Sequence, residues 1–267
     1  MQLQDKTALI TGGASGIGKL MGRLFLERGA RLVIWDIDQN KIENTLAEFK
    51  SLGTVHSYRV DVSSTVEINK AAQQVKKEVG TIDILINNAG IVVGKYFSEH
   101  SGTDILKTME INALAPMYVT NEFLPAMLEQ NSGHICNIAS AAGTISNPKM
   151  SVYAASKWSV VGWSDSLRVE MKQQKKNVGV TTIMPYYINT GMFDGVHSKL
   201  PILKPERAAK TILRAIEKNK KLITIPGYMY RVTRLGQAIM PLGVFDWFAG
   251  DFLGIYKTME HFTGHKK

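Results

Sequence analysis

A tyrosine and a lysine stand four residues apart in "SVYAASKWSV", residues 151–160, with only alanine and serine between them. On a helix, positions i and i+4 share a face, so Tyr153 and Lys157 would meet. A free tyrosine, with a pKa of about 10, is a poor base near neutrality. An ammonium beside it stabilises the phenolate and lowers that value, and a cationic ring next to the pair would add to the effect. Tyr153 then becomes a proton acceptor from an alcohol or a donor to a carbonyl. About one Tyr-x-x-x-Lys pair is expected by chance in a chain of this composition, so the pair needs companions. Ser140, at the end of the apolar run "HICNIAS", is one. The C-terminal ends of parallel strands point at the ligand crevice, where a serine can hold a substrate oxygen beside the phenol. Capping the next turn is the plainer use of that hydroxyl.

Such groups need a frame. "KTALITGG", "RLVIWD", "VHSYRVDV", "IDILINNAG", "GHICNIAS", "VGVTTIM" and "KLITIP" read as strands, mostly apolar throughout. Between them run amphipathic helical stretches, among them "IGKLMGRLFLERG", "QNKIENTLAEFKSLG", "EINKAAQQVKKEVG", a long segment near 103–130, and "PERAAKTILRAIEKN", in which Pro205 and Glu206 suit a first turn. This alternation predicts one α/β domain over residues 1–267: a doubly wound Rossmann fold of about seven parallel strands with helices on both faces.

The first strand runs into "TGGASGIG", Thr11 to Gly18. Glycines there let backbone approach a ligand, and the following helix offers free N–H groups and its positive dipole end. That suits a pyrophosphate held by Gly12, Ser15, Gly16, Ile17 and Gly18. Asp36 ends the second strand, where a carboxylate accepts from both ribose hydroxyls of an adenosine and repels a 2′-phosphate. Asp38 can cap the next helix and leave Asp36 for this task. NAD is therefore expected rather than NADP, with Lys19 as the cation that argues the other way. No metal is expected.

In order and spacing, "TGGASGIG", "NNAG" (87–90), Asn112 in "MEINALAP", Ser140 and the Tyr153/Lys157 pair resemble the short-chain dehydrogenase/reductase family, from residue 5 to at least 192. The resemblance implies Tyr153 as general acid/base and Ser140 orienting the substrate oxygen. It implies Lys157 lowering the tyrosine pKa and binding the nicotinamide ribose, and Asn112 supporting a proton relay through water. Asn88, Ala89 and Gly90 would line the adenine and ribose side, Asp61 and Val62 would flank the adenine, and Pro185, Ile188 and Thr190 would contact the nicotinamide amide. One departure is Tyr186, where the family has a small residue; it would narrow the space beside the nicotinamide. "RLVIWDID", "INTGM" and the tail from Phe245 are similar to the retinol dehydrogenase and lipid-droplet hydroxysteroid dehydrogenase subgroup, which implies a large apolar alcohol or ketone. Members of that subgroup carry an N-terminal hydrophobic anchor. This sequence starts almost at its first strand, so attachment by that route is not expected.

Other residues agree in part. Tyr186, Tyr187, Met192, Phe193, Leu200, Ile202 and Leu203 follow a strand end, and Tyr228, Met229, Phe245, Trp247, Phe248 and Phe252 crowd the last 40 positions. Segments 186–205 and 227–267 are therefore expected to cover a lipophilic ligand. Core packing, a subunit interface or a surface resting on lipid are the competing uses. On the helix after Met150, Ala155, Trp158, Gly162 and Val169 lie away from Tyr153 and Val160, which suits a homodimer or homotetramer.

The net charge is +9. The lysines and arginines are scattered, so nucleic acid is not expected; those near 199–234 would suit an anionic head group or a membrane surface. The single cysteine, Cys136, excludes an intrachain disulfide. With no signal peptide or apolar span visible, a cytoplasmic protein is expected, with peripheral membrane contact through its C-terminal segment as the alternative to a free one. Two rival functions remain open: reduction of a more polar ketone such as a sugar or acyl thioester, and a non-catalytic dinucleotide-sensing scaffold.

Overall fold

The computed structural model describes residues 1–264. Its sheet has seven strands: β1 (Thr7–Thr11), β2 (Arg31–Asp36), β3 (Val55–Arg59), β4 (Ile84–Asn87), β5 (Gly133–Ile138), β6 (Val178–Pro185) and β7 (Leu222–Ile225). All neighbours pair in parallel, in the order β3-β2-β1-β4-β5-β6-β7. The order reverses between β1 and β4, which opens a crevice at the C-terminal ends of those two strands.

The pleat sends successive side chains to opposite faces, and each face carries its own core. Ala8, Ile10, Leu32 and Ile34 pack with Phe25 of α1 (Gly16–Leu26), Ile42 of α2 (Gln39–Phe49) and Ile212 of α7 (Pro205–Glu217). Leu9, Val33, Trp35 and Leu85 pack on the other side. Their partners there include Ile68 of α3 (Thr65–Glu78), Phe123 of α5 (Ala115–Glu129) and Leu167 of α6 (Ser151–Gln173). The central strands are thus buried on both faces, which is why they read as apolar runs, while β3 at the sheet edge is half-buried and partly polar.

The long segment near 103–130 is two helices joined through a π turn. α4 (Gly102–Met109) passes into Glu110–Leu114 and then α5. After β7 the chain forms α8 (Met229–Ile239) and α9 (Leu242–Asp246), then a second π turn, Trp247–Phe252. The sequence pattern did not resolve these C-terminal helices. Their packing rests on a local cluster of Phe245, Ala249 and Ile255.

Candidate active site

The glycine loop is shaped by contacts that a side chain would block. Gly16 takes φ +52°, and a Cβ on Gly18 would lie 2.1 Å from the Gly12 carbonyl oxygen. Helix α1 therefore starts tight against the loop. Its cap residue, Ser15, makes no capping bond with its hydroxyl, and no acidic residue sits in the first turn. A bare, positively polarised helix end results. The neighbouring "NNAG" segment braces the loop: the Asn88 amide donates to the Thr11 and Gly12 carbonyls, and the Asn88 and Ala89 N–H groups donate to Thr11 Oγ1. Asn87, one residue earlier, donates to Thr120 and Asn137 inside the sheet.

A cavity of about 400 Å³ runs from this loop across the C-terminal ends of β4, β5 and β6. Of the residues singled out from the sequence, Gly12, Ser15, Gly16, Ile17, Asn88, Ala89 and Gly90 line one end. Ser140, Tyr153, Lys157, Pro185, Ile188 and Thr190 line the rest. Gly18, Asp36, Asp61, Val62 and Asn112 do not line it.

The five exceptions have physical reasons. Gly18 faces the Gly12 backbone. Asp36 is buried, and its carboxylate accepts from the N–H groups of Ala14 (3.0 Å) and Asp38 (3.2 Å), so it pins the glycine loop from behind. Asp38 caps α2 through Lys41 N–H, as its position suggested. Asp61 Oδ1 accepts from the backbone and hydroxyl of Ser63, and Val62 packs into the core. Asn112, buried in the first π turn, accepts from Ile91 N–H (2.8 Å) and donates to the Ile91 carbonyl (2.9 Å) and Ser156 Oγ. Its side chain thereby positions the 90–91 segment, and one lone pair of its Oδ1 remains. The cation expected to oppose NAD was Lys19, but Lys19 pairs with Glu48. Lys41 lines the cavity instead.

Ser140 follows β5, and its Oγ accepts from Ala142 N–H (3.1 Å). It caps the turn and still has its own proton to give. Tyr153 and Lys157 lie one turn apart on α6, both buried. Lys157 Nζ donates to the Ile138 carbonyl (3.0 Å) and sits 5.8 Å from the Tyr153 ring centroid. No carboxylate pairs with it among the described residues.

Burial acts on both groups. Burial pushes the Tyr153 phenol up to about 12, opposed in part by a hydrogen bond with Ser140. Burial lowers the Lys157 ammonium to about 8. Its charge supports a phenolate where it stays protonated. Two of its N–H groups remain after Ile138, and acceptors placed on them would hold that charge.

The apolar wall is partly as read. Tyr186, Tyr187, Met192 and Phe193 line the cavity, with Phe193 edge-on to Tyr153 at 6.1 Å between centroids. Tyr186 is held by a bond between its hydroxyl and Ser198 (2.9 Å). The tail aromatics do not line it: Tyr228, Trp247 and Phe252 are exposed and Phe245 belongs to its own cluster. Ile255 supplies the tail's contribution, and Ile145, Asn147 and Met150, before α6, were not singled out from the sequence. A short loop residue carries no periodic signal that would have marked it.

Residues 6–201 match the model of the family described as short chain dehydrogenase. Epidermal retinol dehydrogenase 2 of Mus musculus is 38% identical over 97% of this chain and 85% of its own length. Estradiol 17-beta-dehydrogenase 11 of Pongo abelii is 39% identical over 87% of this chain and 78% of its own. Among solved structures, a short chain dehydrogenase/reductase from Burkholderia phymatum in complex with NAD superposes with a TM-score of 0.82. It is 26% identical, over 89% of this chain and 95% of that one. A metagenomic short-chain oxidoreductase in complex with NADP gives 0.72 at 27% identity, over 84% and 96%.

Proposed function

Since the chain belongs to the short-chain dehydrogenase family, we propose that it interconverts a lipophilic primary or secondary alcohol with its aldehyde or ketone, using NAD(H) and Tyr153 as proton carrier. One observation carries this reading. A single cavity joins a bare helix end and glycine loop to Ser140, Tyr153 and Lys157, under a wall of Tyr187, Met192 and Phe193. The cavity's volume suits one drug-sized ligand beside a nicotinamide end.

The chain's own residues divide the work. The loop and the α1 N-terminus hold a pyrophosphate. Ser140 donates its free proton to the substrate oxygen, which fixes that oxygen beside the phenol. Tyr153 takes the alcohol proton in oxidation and returns it in reduction. Lys157 offers its two remaining N–H groups to ribose hydroxyls, and its charge then favours the phenolate. Bound NAD supplies the hydride acceptor and a positive ring. The names of the relatives, a retinol and an estradiol dehydrogenase, support a large apolar substrate.

Asp36 supports NAD, because a carboxylate stands at the end of β2, bonded to the glycine loop, where it would repel a 2′-phosphate. Lys41 supports a second reading, use of NADP, because a cation on the cavity lining can meet a 2′-phosphate. Phe193 and Ile255, which line the cavity, support the expected cover of the substrate side by segments 186–205 and 227–267, of which residues 265–267 lie outside the described residues. A homo-oligomer is supported by the outer face of α6. Trp158 and Val169 are exposed there, and a Cβ on Gly162 would meet nothing within 4 Å, which leaves room for another helix.

The test is NADH absorbance with retinoid, steroid, long-chain and sugar alcohols, each with NAD and with NADP. Turnover confined to the apolar alcohols is expected. Faster turnover of the sugar alcohols would favour the polar-substrate alternative, and dinucleotide binding without any turnover would favour a sensing scaffold.

A further inference from the structure

Thr258 is buried in the tail, and its hydroxyl donates to the Ile255 carbonyl (2.8 Å). That is the only proton the hydroxyl has, so toward its other neighbours Oγ1 can only accept. The Asn147 amide donates to it at 2.8 Å and the Tyr187 hydroxyl at 3.0 Å. The amide also donates to the Tyr187 oxygen (2.9 Å). The three side chains therefore form a closed ring of hydrogen bonds, whose directions follow from the one carbonyl that takes the threonine proton. Asn147 and Tyr187 line the cavity and Thr258 does not, so the threonine acts through them.

The rest of the tail ties the same walls. His197 N–H, in the segment after β6, donates to the Thr258 carbonyl (3.2 Å), and Thr263 N–H donates to the Asp194 carbonyl (2.9 Å). Met259, also buried, packs in one cluster with Tyr153, Tyr186 and Tyr187. Phe262 seats its ring on Gly94, where a Cβ would collide with it. Residues 258–263 thus touch the segments that follow β4, β5 and β6.

This hold reaches the phenol through two ring contacts. Tyr187 stands edge-on to Phe193 at 5.0 Å between centroids, and Phe193 edge-on to Tyr153 at 6.1 Å. Rings packed in this way move together or leave a gap. The place of the Tyr187 hydroxyl therefore sets the aromatic wall beside the reacting group.

We propose that Thr258 is a positioning residue for the substrate: its Oγ1 fixes Tyr187 and, through Phe193, the space beside Tyr153 that a large apolar alcohol must fill. The inference rests on the reaction assigned above and adds which residue sets the fit. A dinucleotide at the glycine-loop end of the cavity does not depend on this wall.

The experiment compares wild type with Thr258→Val and Thr258→Ser. Valine keeps the shape and the backbone bond to His197 but removes the oxygen, which leaves the Tyr187 hydroxyl and one Asn147 N–H short of an oxygen partner in a buried place. Serine keeps the oxygen. Kinetics use retinol or estradiol, whichever wild type oxidises, with separate titration of NAD, and thermal melting verifies folding. Hydrogen–deuterium exchange over residues 186–199, without any ligand, reads the hold itself.

Thr258→Val should raise KM about 10-fold, with kcat within about threefold and NAD binding within about twofold of wild type, and should speed exchange over 186–199. Thr258→Ser should match wild type in every readout. An unchanged KM in the valine variant overturns the proposal. So does an equal rise in the serine variant, a loss of NAD binding as large as that of the alcohol, or unchanged exchange. Absence of turnover by folded wild type counts against the assigned reaction instead. Exchange then decides the hold alone: faster exchange confined to the valine variant supports it, and equal exchange overturns it.

Discussion

Replacing Lys157 with methionine removes a buried charge while keeping the length of the side chain. The ammonium lies 5.8 Å from the Tyr153 ring centroid. At that separation and an effective dielectric constant of about 20, a unit charge favours the phenolate by about 3 kcal/mol. That corresponds to about two pKa units, or about 100-fold in the population of reactive base. Lys157 titrates at about 8 and is charged at neutral pH, so this support is present there and is lost as pH rises through that value unless bound hydroxyls hold the proton. Lys157→Met should therefore lower the rate of alcohol oxidation at saturating NAD and pH 7 by about 100-fold. With the phenolate less favoured, its pH–rate profile should stay below that of wild type across the measured range. NADH absorbance from pH 6 to 10 reads both effects, and dinucleotide titration separates any loss of ribose binding. A variant within about threefold of wild type across that range at saturating cofactor would refute the electrostatic reasoning.

Lys41→Glu sets a carboxylate where a 2′-phosphate would meet a cation; it should weaken NADP by at least about 10-fold and leave NAD within about twofold, as read by titration calorimetry. His134 is fully buried against Thr181 (2.8 Å), and burial lowers its pKa to about 4. The unfolded chain binds that proton from about pH 6.5 downward and the folded chain does not, so stability falls as pH drops from 6.5 to 4. The fall amounts to about 3 kcal/mol from this group. Urea unfolding of His134→Gln at these pH values should show that portion of the acid sensitivity removed.

Much of this architecture was legible because strand and helix leave different periods. Six of the seven strands follow largely apolar runs, and α1, α2, α3 and α7 follow amphipathic ones; β3, Val55–Arg59, is polar in part. Asp38 was readable as a cap, since it obeys a local rule. The π turn at Glu110–Leu114 was not, because one extra residue per turn changes no pattern. The roles of Asp36 and Asn112 depend on which N–H groups the fold brings to them, and those lie 22 and 21 residues away. The burial of Tyr153 and Lys157 also escaped the sequence, since spacing gives proximity but not burial. The tail aromatics were read as pocket lining by composition; the structure turns Trp247 and Phe252 outward.

The central claim is that Tyr153 carries the proton at the cavity that binds the dinucleotide. Tyr153→Phe removes only the hydroxyl from a ring that packs edge-on to Phe193, so the fold and NAD affinity should persist. Single-turnover measurement with a turned-over alcohol and saturating NAD should show no NADH formed above background while NAD titration gives a dissociation constant within about twofold of wild type. NADH formation at a rate comparable to wild type would contradict the account.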